Sequence, residues 1–177
     1  MTPRRSALVL LVPEADPVVG KLRLAHDPAA RAGMPAHVTL LFPFVPASRL
    51  DDVVLSRLKE QFARAPEIRG SVRLHFDRLA RFPGVSYLAL DNAAPVVAKI
   101  RALAAAWPEH PPYEGQFADI VPHLTVAHGD EAVLAAVESE LADSLPLVAE
   151  LRYATLVAED DNGHWREHTR FALEPTP

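Results

Sequence analysis

Two short segments of the chain share one alternating pattern of polar and apolar side chains. Residues 37–40 read His-Val-Thr-Leu and residues 123–126 read His-Leu-Thr-Val. Successive side chains of a β-strand point to opposite faces. Each segment therefore predicts a strand that buries its apolar pair and presents its His and Thr together on the other face.

Apolar runs elsewhere in the chain predict the remaining elements. Runs rich in Val, Leu, Phe and Tyr, bounded by Gly, Pro, Asp or Asn, predict strands at Ala7–Val12, His37–Phe44, Val72–Leu79, Val85–Leu90, His123–His128, Leu147–Val157 and Trp165–Leu173. Helical spacing of apolar residues predicts helices at Pro17–Leu24, Arg49–Arg64, Ala94–Trp107 and Glu131–Leu141. We expect Ser48 to cap the second helix, with Asp51 in its first turn.

The order of these elements repeats along the chain. Residues 6–80 run strand, helix, motif strand, helix, strand, and residues 84–158 do the same, before a last strand at 164–173. We expect residues 1–177 to form a single bilobal α+β domain. Its two lobes would face each other across a cleft and bring the two motif strands together.

Composition narrows the possible functions. The chain has 177 residues, no cysteine and a formal net charge of -5. The absence of cysteine excludes a disulfide framework, a thiolate nucleophile and a Cys-based zinc site. The negative charge argues against a long, non-specific grip on duplex nucleic acid, although a few Arg residues could still hold a small nucleotide or an RNA terminus.

The N-terminal segment predicts a buried strand. Residues 6–12 are apolar, but the run is short, and Pro13-Glu14-Ala15-Asp16 stands where a signal peptide would have a small-residue cleavage site. No other stretch approaches transmembrane length. We therefore expect a cytoplasmic protein.

The two motifs supply the groups needed for acid–base chemistry on a phosphate. We expect His37, Thr39, His123 and Thr125 to be the catalytic residues. One imidazole would remove a proton from water and the other would protonate the leaving oxygen, without a metal or cofactor. The hydroxyls would donate hydrogen bonds to the non-bridging oxygens. The sequence leaves open which His is the base; for hydrolysis we favour His123.

Several other residues are candidates for substrate binding. Arg81 and Phe82 lie in a predicted turn, where an Arg suits a phosphate and an aromatic ring suits a base, although an ordinary solvated turn would look the same. The further candidates are Arg31 before the first motif, Tyr113 and Phe117 on the loop before the second, and His128 after it.

Strand alternation separates some of these side chains from the expected cleft. Regular alternation places Phe42 and Phe44 in the core, and places His128 on the core side unless a bulge intervenes. Because Gly129 suggests a strand end, His128 could still reach a phosphate. His164 and His168 follow a turn signal, and we expect solvated side chains there and no metal site.

The segments Pro35–Phe44 and Val121–Gly129 resemble the 2H phosphoesterase superfamily, in particular its bacterial 2'-5' RNA ligase-like proteins. The resemblance implies a duplicated fold with two antiparallel sheets around a central cleft and helices outside. It also implies metal-free hydrolysis or reversible ligation of phosphodiester bonds, often 2',3'-cyclic phosphates or 2'-5' linkages. Members of that branch commonly have an Arg after the second motif, where this chain has His128.

The function expected from the sequence is therefore a two-His phosphoesterase. Its substrate would be an RNA terminus or a small nucleotide with a cyclic phosphate. We expect a monomer that needs no membrane and no protein partner. Two alternatives stay open: hydrolysis of another small cyclic phosphodiester, and a weakly active module that binds RNA ends in the same cleft.

Overall fold

The chain folds into two four-stranded antiparallel sheets and a set of α-helices. The computed structural model describes residues 4–115 and 119–174, without the side chains of Tyr113 and Glu114. The strands are β1 (Ser6–Leu11), β2 (His37–Leu41), β3 (Val72–Phe82), β4 (Val85–Leu90), β5 (His123–His128), β6 (Leu147–Leu151), β7 (Tyr153–Glu159) and β8 (Trp165–Ala172). The helices are α1 (Asp16–His26), α2 (Pro28–Arg31), α3 (Asp52–Arg64), α4 (Ala94–Ala106) and α5 (Glu131–Leu141).

Each sheet carries one motif strand at its edge. Sheet A has the strand order β2-β1-β7-β8, and sheet B has the order β5-β4-β3-β6. The edge strands β2 and β5 contact each other, and buried apolar side chains of both sheets belong to one core cluster. These features confirm the expected α+β class with two antiparallel sheets.

Sheet membership does not follow the order of the two sequence halves. The third strand of the first half, β3, pairs with β4 in sheet B. In turn β7, from the second half, pairs with β1 in sheet A. Each sheet therefore contains strands from both halves, so the two sheets are tied together by chain crossings as well as by their shared core.

The predicted strand Leu147–Val157 is wrong as one element. It divides at Arg152 into β6, at the edge of sheet B, and β7, inside sheet A. Along β6 buried and exposed residues alternate, whereas residues 154–158 of β7 are all buried. A continuous apolar run does not show where a chain leaves one sheet for another.

The predicted helices are present; Glu131–Leu141 is confirmed with the bounds of α5, and the other three differ at one or both ends. Ser48 does not cap α3, since it lies in a 3₁₀ turn at Ala47–Arg49. Asp51 is the N-cap instead, and its carboxylate accepts hydrogen bonds from the backbone N–H groups of Val53 and Val54 at 3.1 and 2.9 Å. Asp and Ser are both good N-caps, so residue type alone did not separate them.

Several strand ends also differ from the prediction. β2 ends at Leu41, before Phe44, and β3 continues to Phe82, so the predicted turn that holds Arg81 and Phe82 is strand. The short helix α2 was not predicted; Asp27 caps it by accepting from the Ala29 N–H at 2.9 Å. Within the described ranges, no helix combines the length and apolar character needed to cross a membrane.

Candidate active site

The two motif strands present the expected His and Thr side chains on one face. Val38 and Leu40 are fully or almost fully buried, while His37 and Thr39, which alternate with them along the strand, are partly exposed. β5 repeats this pattern with His123 and Thr125 partly exposed. Because β2 and β5 are contacting edge strands, the structure brings the two motifs to the junction of the sheets.

Both imidazoles are held by the same kind of hydrogen bond, to the backbone carbonyl of the residue two positions earlier. His37 Nδ1 donates to the carbonyl of Pro35 at 2.8 Å, and His123 Nδ1 donates to the carbonyl of Val121 at 2.7 Å. A carbonyl oxygen can only accept, so each Nδ1 carries a hydrogen. The bond thereby fixes the tautomer and leaves Nε2 as the atom that gains or loses a proton.

Burial keeps both imidazoles neutral near pH 7. It lowers the pKa of His37 to about 4, with further lowering by the charges of Arg23 and His123 and opposite effects from the Pro35 carbonyl and Asp27. Burial also lowers the pKa of His123, against the hydrogen bond to Val121.

Aromatic side chains enclose His123. Its ring forms a T-shaped pair with Phe82 at a centroid distance of 5.0 Å, and the Tyr87 ring lies at 5.1 Å. Phe82 and Tyr87 stack on each other at 4.3 Å. The structure therefore brings the predicted Phe82 beside a catalytic candidate. Tyr87 was missed, because in sequence it is only one apolar residue of a buried strand.

A β-bulge follows each motif and changes which side chains face the cleft. Thr39 pairs with Val9 while Leu41 pairs with Leu8, so Leu40 is an extra residue on β2. β5 has the same irregularity one residue after Thr125. In each strand two consecutive buried residues follow the Thr because of the bulge. The next residue therefore points to the same face as the His and the Thr.

The bulges correct the positions predicted for Phe42 and His128. Phe42 lines the same cavity as His37 and Thr39, and His128 lies there as well with its side chain 48% exposed. Regular alternation placed both on the core side. Phe44 is 4% exposed, so its predicted core position is confirmed.

A buried ion pair lies behind His128. The Arg23 guanidinium donates to Asp27 Oδ2 at 2.8 Å and to the carbonyl of Met34 at 3.2 Å, and both charged side chains are at most 3% exposed. The other oxygen of Asp27 lies 3.8 Å from His128 Nε2. This pair connects α1 with the segment before the first motif and with the end of the second.

Two predicted binding residues lie elsewhere. Arg81 points to the opposite side of β3 from Phe82 and donates to Glu138 of α5 at 2.6 and 2.8 Å, and also to Glu131. Its guanidinium is thus bound by two carboxylates. Arg31 donates to the carbonyl of Ala25 at the end of α1, at 2.8 Å, rather than to the cleft. The Tyr113 side chain and Phe117 lie outside the described residues.

A cavity of about 360 Å³ adjoins His37 and Thr39. Its lining includes several residues that the sequence did not indicate, namely Arg5, Asp27, Met34, Phe42 and Trp165. Arg5 and Trp165 lie at opposite ends of the chain, and only the pairing of β1, β7 and β8 brings them together. A smaller crevice of about 30 Å³ lies beside Thr39, Phe42 and His123.

The described residues contain no group of three His, Asp or Glu side chains arranged to hold a metal ion. His164 precedes β8 and His168 lies on it, as predicted from the turn before them. The site thus consists of imidazoles, hydroxyls and aromatic rings at the junction of two sheets.

A comparison with protein families assigns the chain to a family. A model of the 2'-5' RNA ligase superfamily matches residues 11–163. The chain belongs to the 2'-5' RNA ligase superfamily. This confirms the 2H phosphoesterase resemblance of the two motif segments, and the superfamily unites phosphoesterases and ligases. The comparison with curated proteins finds no match.

Solved structures show the same fold as this 2'-5' RNA ligase superfamily member. Escherichia coli LigT in its apo form matches with a TM-score of 0.63 and 19% identity, covering 98% of this chain and 99% of that chain. E. coli LigT complexed with 3'-AMP matches at 0.61 and 18%, with the same coverage. A structure described as a phosphoesterase matches at 0.59 and 19%, again with that coverage.

Proposed function

We propose that this 2'-5' RNA ligase superfamily member is a metal-independent phosphoesterase. It hydrolyses, or reversibly ligates, 2',3'-cyclic phosphate or 2'-5' phosphodiester bonds of RNA ends or small nucleotides. The observation that carries the proposal is the pair of imidazoles on contacting strands, each with Nδ1 bound to a backbone carbonyl and Nε2 left to exchange a proton. E. coli LigT has been crystallised with 3'-AMP, the kind of phosphomonoester that this hydrolysis releases.

The reaction needs one proton removed and one proton supplied. A water oxygen attacks phosphorus while the Nε2 of one His takes the water proton. The bond from phosphorus to the 2' or 3' oxygen breaks on the opposite side, and the Nε2 proton of the other His goes to that oxygen. The product is a nucleoside phosphomonoester, and the two imidazoles end with exchanged protonation states.

Burial favours His37 as the base. It lowers the pKa of His37 to about 4, and the Arg23 guanidinium adds a smaller lowering that Asp27 opposes. His123 is then the acid that protonates the leaving oxygen. This assignment reverses the role that the sequence favoured for His123. In the ligation direction the two roles exchange.

The remaining polar groups of the site would hold the phosphate. Thr39 and Thr125 lie on the His faces of their strands, where hydroxyl hydrogens can reach the non-bridging oxygens as charge develops. His128 faces the cavity in the place where related proteins commonly have an Arg. Its imidazole N–H would donate a hydrogen bond to the phosphate in place of that Arg.

An assay with the nucleotide 2',3'-cyclic AMP in excess EDTA tests this function. We expect a phosphomonoester product with no loss of rate on chelation, and ³¹P NMR identifies the 2' or 3' isomer. Replacing His37 or His123 by Gln should abolish turnover, whereas the matched His164→Gln, outside the cavity, should not change it.

Three results would contradict the proposal. Loss of activity on chelation would overturn the metal-free mechanism. No product, combined with micromolar binding of RNA ends, would identify a binding module instead. Turnover confined to cyclic phosphodiesters that are not nucleotides would identify a different hydrolase of the same superfamily.

A further inference from the structure

Tyr87 places a phenol ring beside the second motif. It lies on β4, and its Cα partner on the neighbouring strand β5 is Thr125. Directly opposed residues of two paired strands point to the same face of a sheet, so Tyr87 shares the face of His123 and Thr125. The centroid of its ring lies 5.1 Å from that of the His123 ring. The Tyr87 side chain therefore belongs to the candidate active site, although neither motif contains it.

The Tyr87 ring is held in one position. It stacks on Phe82 at a centroid distance of 4.3 Å and an interplanar angle of 28°, and only 7% of Tyr87 is exposed. Phe82 in turn forms a T-shaped pair with His123. The neighbouring Arg81 is bound to Glu138, which ties this end of β3 to α5. A group that is already fixed in the free protein loses little conformational freedom when a ligand binds, which favours any contact it makes.

The Tyr87 hydroxyl has no hydrogen-bond partner among the described side chains and backbone groups. No fully buried polar side-chain atom in that part of the chain lacks a partner, so the hydroxyl has access to open space on the cleft face of sheet B. Buried Tyr hydroxyls usually find a partner. The hydroxyls of Thr39 and Thr125 are likewise unpaired within residues 4–115 and 119–174. All three are therefore available to a ligand.

The side of the site that holds His123 depends on neutral donors. The described lining of the crevice beside His123 contains no Lys or Arg. A phosphate within reach of His123 and Thr125 would bring its oxygens to the face on which Tyr87 lies. Hydrogen bonds to charged acceptors are the strong ones, and a fixed donor gains strength as negative charge develops in the transition state.

We propose that the Tyr87 hydroxyl donates a hydrogen bond to a phosphate oxygen of the substrate, an inference that rests on the proposed phosphoesterase function. Tyr87 is then a third hydroxyl donor of the site, next to Thr125 and on the side of His123. Because its hydroxyl contacts the substrate, it acts on the rate of the reaction and not on the proton exchange of either imidazole.

The variant Tyr87→Phe tests the inference, because it removes one oxygen atom and keeps the ring that stacks on Phe82. We expect kcat for 2',3'-cyclic AMP to fall by roughly 10²-fold, the effect expected when one donor to developing charge is lost. The thermal midpoint should not fall, because the hydroxyl has no partner in the described part of the protein. The pH of maximal kcat/KM should stay the same.

Two further variants separate substrate contact from packing. Tyr153→Phe removes the hydroxyl of a ring that is 52% exposed on β7 of the other sheet, and it should change neither kcat nor the thermal midpoint. Tyr87→Leu removes both ring and hydroxyl and should be at least as slow as Tyr87→Phe. Wild-type kcat in Tyr87→Phe would overturn the inference. So would a loss of kcat that comes with a lower thermal midpoint or a shifted pH profile, since the hydroxyl would then act on the fold or on His123.

Binding measurements keep this inference separable from the proposed function. If the wild type turns over no cyclic nucleotide, the proposed function fails, and calorimetry with 3'-AMP and with adenosine still tests the contact. We expect Tyr87→Phe to weaken the binding of 3'-AMP roughly tenfold and to leave that of adenosine unchanged, because adenosine carries no phosphate. Unchanged affinity for 3'-AMP, an equal loss for both ligands, or a wild type that does not bind 3'-AMP would overturn the inference.

Discussion

At the scale of single residues, strand parity in the sequence was enough to find the catalytic candidates. The alternation at 37–40 and 123–126 correctly separated His and Thr from their buried neighbours. The same reasoning could not find the partners of Arg81, because Glu131 and Glu138 lie some fifty positions further along the chain. A charged side chain shows its chemistry in the sequence but not the group that neutralises it.

The lowered imidazole pKa values predict an acidic optimum for kcat/KM. This ratio reports the free protein. His37 is neutral above its pKa of about 4, and the proton on His123 is lost at a pH below the ordinary value of 6.5. We therefore expect a bell-shaped profile with its maximum below pH 6.5. The profile of kcat should lie at higher pH, because a bound anionic phosphate favours protonated imidazoles. A kcat/KM maximum above pH 7.5 would contradict these pKa directions.

The motif hydroxyls predict a difference between two similar substitutions. Thr39→Val removes the hydroxyl proposed to donate to the phosphate and keeps the shape of the side chain, so kcat should fall by roughly 10²-fold. Thr39→Ser keeps the hydroxyl and should stay within a few-fold of the wild type. Steady-state kinetics with the same cyclic nucleotide measure both, and equal losses in the two variants would assign Thr39 a packing role.

At the scale of elements, bulges and caps account for most of the differences from the sequence prediction. Nothing in the residue types at 40 or 126 marks an extra residue, since Leu and Val suit a regular strand equally well. The bulges are visible only in the pairing with β1 and β4, yet they turn Phe42 and His128 toward the cavity. The alternation of side chains therefore predicts which face a residue occupies only up to the first bulge of a strand.

The N-cap of α3 gives a direct test of the observed helix boundary. Asp51→Ala removes the carboxylate that accepts from Val53 and Val54, so the free energy of unfolding should fall by about 1 kcal/mol. Ser48→Ala, three residues earlier, should have little effect. Urea denaturation of both variants measures this, and a larger loss in Ser48→Ala would contradict the boundary.

At the scale of the whole molecule, long-range pairing builds the site. Sequence order predicted the α+β class and the meeting of the two motif strands, but not the crossing of β3 and β7 into the opposite sheets. Those crossings determine that β8 and its Trp165 lie near the first motif. Such contacts depend on which strands pair with each other in the folded protein. The local pattern of apolar and polar residues does not determine this pairing.

The buried Arg23–Asp27 pair predicts a large effect on stability. Asp27→Ala leaves a guanidinium that is 3% exposed without its carboxylate, which should lower the free energy of unfolding by about 3–5 kcal/mol. The double variant Arg23→Met with Asp27→Leu removes both charges and should recover most of the loss. Denaturant titration compares the three proteins; a single variant as stable as the wild type would show that the pair is not needed for the fold.

The kinetics of single and double His variants test the central claim, that His37 and His123 act as one acid–base pair. If both protons move in the same step, either His→Ala variant alone abolishes the acid–base contribution, and the double variant is no slower than the single ones. We predict that the rate at which the cyclic nucleotide is hydrolysed in EDTA falls to the same residual level in all three. A single variant that keeps near wild-type turnover, or losses that multiply in the double variant, would contradict the account.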